Sequence, residues 1–183
     1  MNPIFAAMVT AILKITIWII PVFLLIVTLE RKDPISYLGL KSNLKKGLKW
    51  AMWITFAMAL YFTISGIAMD LKFSLNLGWD FWLNTFIFVG LTEEIVFRGY
   101  ILRKLMVGWK FWQANTIASL LFVSIHFPIW IYNGLFELPY IMVAIVQVFI
   151  ISISFGFIYK KTGSLWSVII IHSMYDLLVS VFN

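Results

Sequence analysis

LTEEIVFRGY, residues 91–100, follows directly on FWLNTFIFVG, residues 81–90. Together they form an apolar run long enough for a membrane-crossing helix, yet two adjacent carboxylates and an arginine interrupt it. On insertion scales each charge near mid-bilayer costs about 2.5–3.5 kcal/mol. A segment that served only as an anchor gains nothing from Glu93, Glu94 and Arg98. Such residues face protein or water, pair with one another, and mark function by default.

Composition sets the context. Of 183 residues, 62% are hydrophobic and 12% charged, about half the charge fraction of a soluble domain. The mean hydropathy is +0.97. We expect a single integral membrane domain over 1–183, with no disulfide or thiolate chemistry because cysteine is absent. Six apolar runs approach the roughly 20 residues that cross a hydrocarbon core: 4–29, 48–69, 81–102, 113–127 (ended by Pro128), 138–159 and 164–182. No basic segment precedes the first run, which is longer than the apolar part of a signal peptide, so it is expected to remain as an anchor. The fold class is all-α, a polytopic bundle of about six spans.

The net charge of +6 reads as topology. Arg31, Lys32, Lys41, Lys45, Lys46 and Lys49 lie between the first two runs. Arg103, Lys104 and Lys110 lie between the third and fourth, and Lys160 and Lys161 between the fifth and sixth. The intervening loops hold only Lys72. Alternation of this kind is what positive-inside insertion requires. It places the basic loops in the cytoplasm and both termini outside. The partner of these charges is the lipid bilayer, not nucleic acid. Seven tryptophans near predicted helix ends (Trp50, Trp53, Trp79, Trp82, Trp109, Trp112 and Trp166) fit an interfacial belt. Residues 128–137, PIWIYNGLFE, either lie on the outer surface or re-enter the membrane.

Few polar side chains inside the runs need a reason: Lys14, Glu93, Glu94, Arg98, His126, His172 and Asp176. Neighbours on a helix point about 100° apart, so Glu93 and Glu94 cannot serve one spot equally. Glu94 and Arg98, four apart, share a face and can neutralise each other. Glu93 is then the carboxylate without a partner, buried beside a like charge and suited to a general base, unless Arg98 reaches it instead. Phe122 and His126 in FVSIHF, and His172 and Asp176 in IIIHSMYD, are also four apart. At about 1.5 Å per residue, Glu93 and His172 lie at similar depth, roughly 12 Å in, with His126 nearly 10 Å deeper unless its helix enters late. Lys14 is expected to snorkel or to pair with an outer acid such as Asp70.

Taken together, Glu93-Glu94-x-x-x-Arg98, Phe122-x-x-x-His126 and His172-x-x-x-Asp176 resemble the three motifs of the CPBP intramembrane proteases. This is the Abi, or CAAX protease and bacteriocin-processing, family, which includes the CAAX prenyl endopeptidases and the lysostaphin-resistance proteins. TGSLWSVIIIHSMYD is similar to the usual lead into the third motif. The resemblance covers a protease-like core over 81–180. It implies membrane helices around a buried polar cavity opening toward the cytoplasm, and hydrolysis of a peptide bond in a peptide or membrane-protein substrate. It implies that Glu93 activates water and His126 helps hold it, that His172 and Asp176 stabilise the oxyanion, and that Glu94, Arg98 and Phe122 support them. The prenyl-protease branch usually has asparagine at the position of Asp176. An ionised aspartate only accepts hydrogen bonds, so Asp176 is expected to orient a charged, donating His172. The short loops suggest a compact bacterial member.

Other readings compete. Two histidines and a carboxylate can complete a catalytic zinc site, although no HExxH is present and the candidates lie on separate helices; the glutamate reading needs no cofactor. A transporter also places acids and histidines in its spans, but no inverted repeat is visible. A non-catalytic bacteriocin-immunity or scaffold protein is the third alternative.

Overall fold

A computed structural model of the chain describes residues 2–182. Among these residues there are seven helices: α1 Pro3–Glu30, α2 Pro34–Tyr37, α3 Leu44–Ala68, α4 over 78–105, α5 Phe111–Tyr132, α6 Tyr140–Thr162 and α7 Leu165–Val181. The fold is an all-α bundle. Four helices, α1, α3, α5 and α6, are long and apolar enough to cross a membrane. The expected count of six is not reached on that criterion. In α4 the charges that drew attention in the sequence intervene, and α7 has 17 residues, just under a full crossing.

Local chemistry sets the helix ends. Asn2 accepts a hydrogen bond from the Ile4 amide and Pro3 occupies the first helical position of α1, where its missing N–H costs nothing. Asp33 caps α2 through the Ser36 amide. Gly163, at φ +66, closes α6 in the left-handed conformation that favours glycine. Wide turns occur in α1 at Ile15–Ile19, just before Pro21. Proline donates no hydrogen bond and crowds the carbonyl four residues back, so the helix widens there. In α4, wide turns over Phe81–Val89 and Ile95–Leu102 flank the tighter Gly90–Glu94 segment.

The expectation that Pro128 ends the fourth run is corrected. The helix breaks earlier, at Ile125–His126, and resumes over Phe127–Tyr132 with Pro128 in its first turn, a position proline tolerates. Much of the stretch at 128–137 is therefore helical.

Side chains pointing outward are largely apolar. Ile17, Phe56, Ile64 and Val143 are each about 60% exposed. On a water-soluble protein such a surface is a liability; against lipid it is the expected exterior. The inner contacts use small residues. A Cβ on Gly156 of α6 would fall 1.8 Å from Asn115 Oδ1 of α5, so only glycine permits that approach.

Chain directions follow from the contacts. Asn84 Nδ2 donates to the Ala7 carbonyl and the Trp18 and Phe97 rings lie 6.4 Å apart, so α1 and α4 run parallel. Gly99 faces Leu165 while Gly90 faces Ser173, so α7 runs antiparallel to α4. The basic loops gather at one end of the bundle. Lys104 pairs with Glu30, Arg103 donates to the Tyr37 carbonyl, and Lys46 donates to the Lys161 carbonyl. Trp166, assigned to the interfacial belt, also ties this end together by donating to the Leu40 carbonyl at 3.0 Å. At the opposite end Ser74 N donates to the Val181 carbonyl, and the start of α1 packs near Asn84.

Candidate active site

Gly90 brings α4 against α7. A Cβ there would lie 2.7 Å from Ser173 Oγ and 3.1 Å from the Ile169 carbonyl. One turn further along α4, that closeness delivers Glu94 to His172. Glu94 is fully buried. Its Oε1 accepts from Arg98 Nη1 at 2.8 Å and from His172 Nδ1 at 2.8 Å. Arg98, 2% exposed, spends its other arm on Ser152 of α6, donating to Oγ at 2.7 Å and to the carbonyl at 3.0 Å. Ser152 Oγ in turn donates to Ser119 of α5 at 2.9 Å. The Arg98 guanidinium also sits 4.5 Å from the Phe122 ring centre. A buried ion pair persists when further hydrogen bonds offset the cost of burying it; four helices contribute here, while Glu94 Oε2 makes no hydrogen bond among the described residues.

The Glu94–Arg98 pair is the one their i,i+4 spacing suggested, and one contact falls elsewhere than expected. Glu94 and Arg98 pair, and Phe122 packs on Arg98. The carboxylate that holds His172, however, is Glu94. Asp176 Oδ2 is 3.8 Å from His172 Nε2, beyond hydrogen-bond range. The i,i+4 spacing put Asp176 on the right face of α7 but could not reveal a partner on another helix. With Nδ1 committed to Glu94, Nε2 is directed to the space between Asp176 Oδ2 and Glu93 Oε2, the latter 3.9 Å away. Both of those carboxylate oxygens are buried and make no hydrogen bond among the described residues.

His126 sits at the break in α5. Its Nδ1 lies 2.8 Å from the Phe122 carbonyl; a carbonyl only accepts, so Nδ1 carries the proton and a neutral ring presents Nε2 as acceptor. The depth mismatch expected for His126 is reduced by where α5 packs, with the Phe122 ring against Phe97 and Arg98. Phe122 lies level with Arg98, and one turn takes α5 from Phe122 to His126 just as one turn takes α4 from Arg98 back to Glu94. The Phe122 ring centre lies 4.9 Å from that of His126 and 6.1 Å from that of His172, so Phe122 packs against both histidines.

Residues that sequence reasoning passed over are Ser119, Ser152, Gly90 and Phe155. Phe155 packs on His172 with ring centres 5.4 Å apart and forms part of the wall of a groove of about 620 Å³ between α3, α6 and α7. The hydroxyls in IISISFG were the available signal, small polar groups inside an otherwise apolar run. Lys14 does not reach Asp70: it donates to the Asn84 carbonyl at 2.9 Å. A zinc site needs three protein ligands converging at about 2 Å. Among the described residues no three histidine or acidic side chains are placed to hold one ion.

Comparison with known proteins adds one finding. A family model described as type II CAAX prenyl endopeptidase Rce1-like matches residues 74–178, which includes all three motifs, helices α4, α5 and α6, and most of α7. No curated protein and no solved structure matches the chain.

Proposed function

Because this chain belongs to the type II CAAX prenyl endopeptidase Rce1-like family, a family of proteases, we propose that it is a multi-pass membrane endopeptidase in which Glu93 activates the hydrolytic water. The observation that carries this reading is the placement of His172: clamped by Glu94 at Nδ1, it presents Nε2 to both Glu93 and Asp176 at 3.9 and 3.8 Å. Polar atoms at that separation suit a molecule bridging them.

A water held between Glu93 and His126 Nε2 gives a proton to the Glu93 carboxylate. Its oxygen bonds to the scissile carbonyl carbon, and the carbonyl π electrons move to oxygen. His172, charged and donating through Nε2, stabilises that oxyanion. Glu94 and Arg98 keep the imidazolium in place, and Asp176 adds negative charge beside it. The tetrahedral intermediate collapses, the C–N bond breaks, and Glu93 returns its proton to the leaving amine. The catalytic core is residues 81–180, and no step calls on a metal or other cofactor.

The apolar groove beside Phe155 supports an apolar substrate segment entering from the lipid, in keeping with the prenylated peptides that the family's description names. The basic loops face the cytoplasm on the positive-inside rule.

The test uses the full chain in liposomes with a fluorogenic farnesylated CAAX peptide and its unprenylated counterpart. Wild type is expected to cleave, with Glu93→Gln lowering kcat/KM by at least 100-fold at unchanged folding, and chelators leaving the wild-type rate intact. Cleavage that survives Glu93→Gln removes the role assigned to Glu93; loss of activity on chelation, restored by zinc, replaces it with metal chemistry.

A further inference from the structure

Lys14 lies outside the matched region and outside all three motifs, yet its backbone stands level with the site and its side chain reaches back along α4 from there. Helices α1 and α4 run in parallel register: Ala7 is beside Asn84 and Trp18 beside Phe97. Lys14 falls seven residues after Ala7 and four before Trp18, which sets its backbone beside residues 91–93. Its ammonium is held on the Asn84 carbonyl, with Glu93, Asp80 and Asp176 the acids within electrostatic reach.

The charges around Glu93 leave a task for a further cation. Glu94 is matched by Arg98 and bonded to His172. That leaves Glu93 and Asp176 sharing His172 Nε2 with no hydrogen bond of their own among the described residues. On α5, His126 has His172 and Arg98 within electrostatic reach. Beyond Lys49, α3 carries no charged residue, and neither does α6 before Lys160. A stitch between α1 and α4 needs no charge, since Asn84 Nδ2 already donates to the Ala7 carbonyl.

We propose that Lys14 is a positioning residue of the active site, supplying from α1 the positive charge that keeps Glu93 and Asp176 ionised and facing the substrate water. The proposal rests on the protease reading for its consequence, but its test does not depend on turnover. Dicyclohexylcarbodiimide reacts with protonated carboxyl groups in membranes, so the pH at which Glu93 stops being labelled, read by peptide mass spectrometry, reports its ionisation directly. In the full chain in liposomes, Lys14→Gln is expected to extend labelling of Glu93 to higher pH by roughly one unit, the effect of one charge at this range and polarity. Lys14→Arg is expected to match wild type. A Lys14→Cys protein gives the same comparison within one folded preparation, because the chain has no other cysteine. Aminoethylation of the thiol restores the wild-type profile and carbamidomethylation does not. Coincident profiles for wild type and Lys14→Gln, or for the two alkylated forms, overturn the proposal. Failure of the protease reading shows separately, as peptide cleavage that is absent in wild type or persists in Glu93→Gln.

Discussion

Glu94 carries more of the site than its place beside Glu93 suggests. One of its oxygens accepts from both Arg98 and His172, so the imidazole is anchored by a group that is itself locked by an ion pair. Removing one member of a buried pair strands the other, at a cost of about 3–5 kcal/mol. Arg98→Met is therefore expected to lower the thermal midpoint of the detergent-solubilised protein sharply, and Glu94→Gln to lower it as well. The double variant should recover much of the loss, because neither charge is then left alone; a double-mutant cycle measures the coupling. Strictly additive losses would mean that the two side chains do not depend on each other. The Ser119 and Ser152 hydroxyls extend this chain of donors and acceptors across α5 and α6, and ease the cost of burying a guanidinium in a bundle otherwise built of aliphatic and aromatic side chains.

Among helices, the decisive contact is α4 on α7. Gly90 removes a side chain where Ser173 and the Ile169 carbonyl approach, and Glu94 is one turn away. A larger residue forces the two helices apart and draws the His172 clamp open. Gly90→Leu is expected to abolish peptide cleavage, and Gly90→Ala to reduce it several-fold. Gly108→Leu, at a position where nothing lies within 4 Å, is expected to leave it unchanged. Activity in Gly90→Leu equal to wild type would disconnect helix spacing from the site. The break in α5 is a second element-level device. Because the helix stops at Ser124 and restarts at Phe127, His126 occupies a turn between two helical segments, and its Nδ1 is taken by the Phe122 carbonyl one turn back.

For the bundle as a whole, the arrangement of charge gives two unlike ends. The loops carrying Arg31 to Lys49, Arg103 to Lys110 and Lys160–Lys161 meet at one end, while residues 70–80 and the start of α1 lie at the other. The absence of native cysteine makes this directly measurable. With Ser42→Cys and Asn76→Cys made separately, a membrane-impermeant maleimide added to intact cells is expected to label position 76 at once and position 42 only after permeabilisation. The reverse pattern would invert the topology and contradict the positive-inside reading. The same end-to-end polarity relates the site to its surroundings: Glu93 and His172 sit within the bundle, and the groove past Phe155 opens between α3, α6 and α7 toward the apolar exterior.

Hydropathy and charge determined that the chain is a membrane helix bundle and where its apolar runs lie, and the three motifs with their family resemblance grouped Glu93, Glu94, Arg98, Phe122, His126, His172 and Asp176 as one expected site. Those features are local, because a 20-residue apolar run or an i,i+4 pair is written in consecutive residues. Only the tertiary structure decided that Glu94 rather than Asp176 holds His172, that Ser152 receives Arg98, and that Lys14 turns to Asn84 instead of Asp70. These depend on the rotation, depth and spacing of separate helices, which are set by how small residues such as Gly90 and Gly156 let backbones meet. No spacing within one helix encodes that geometry.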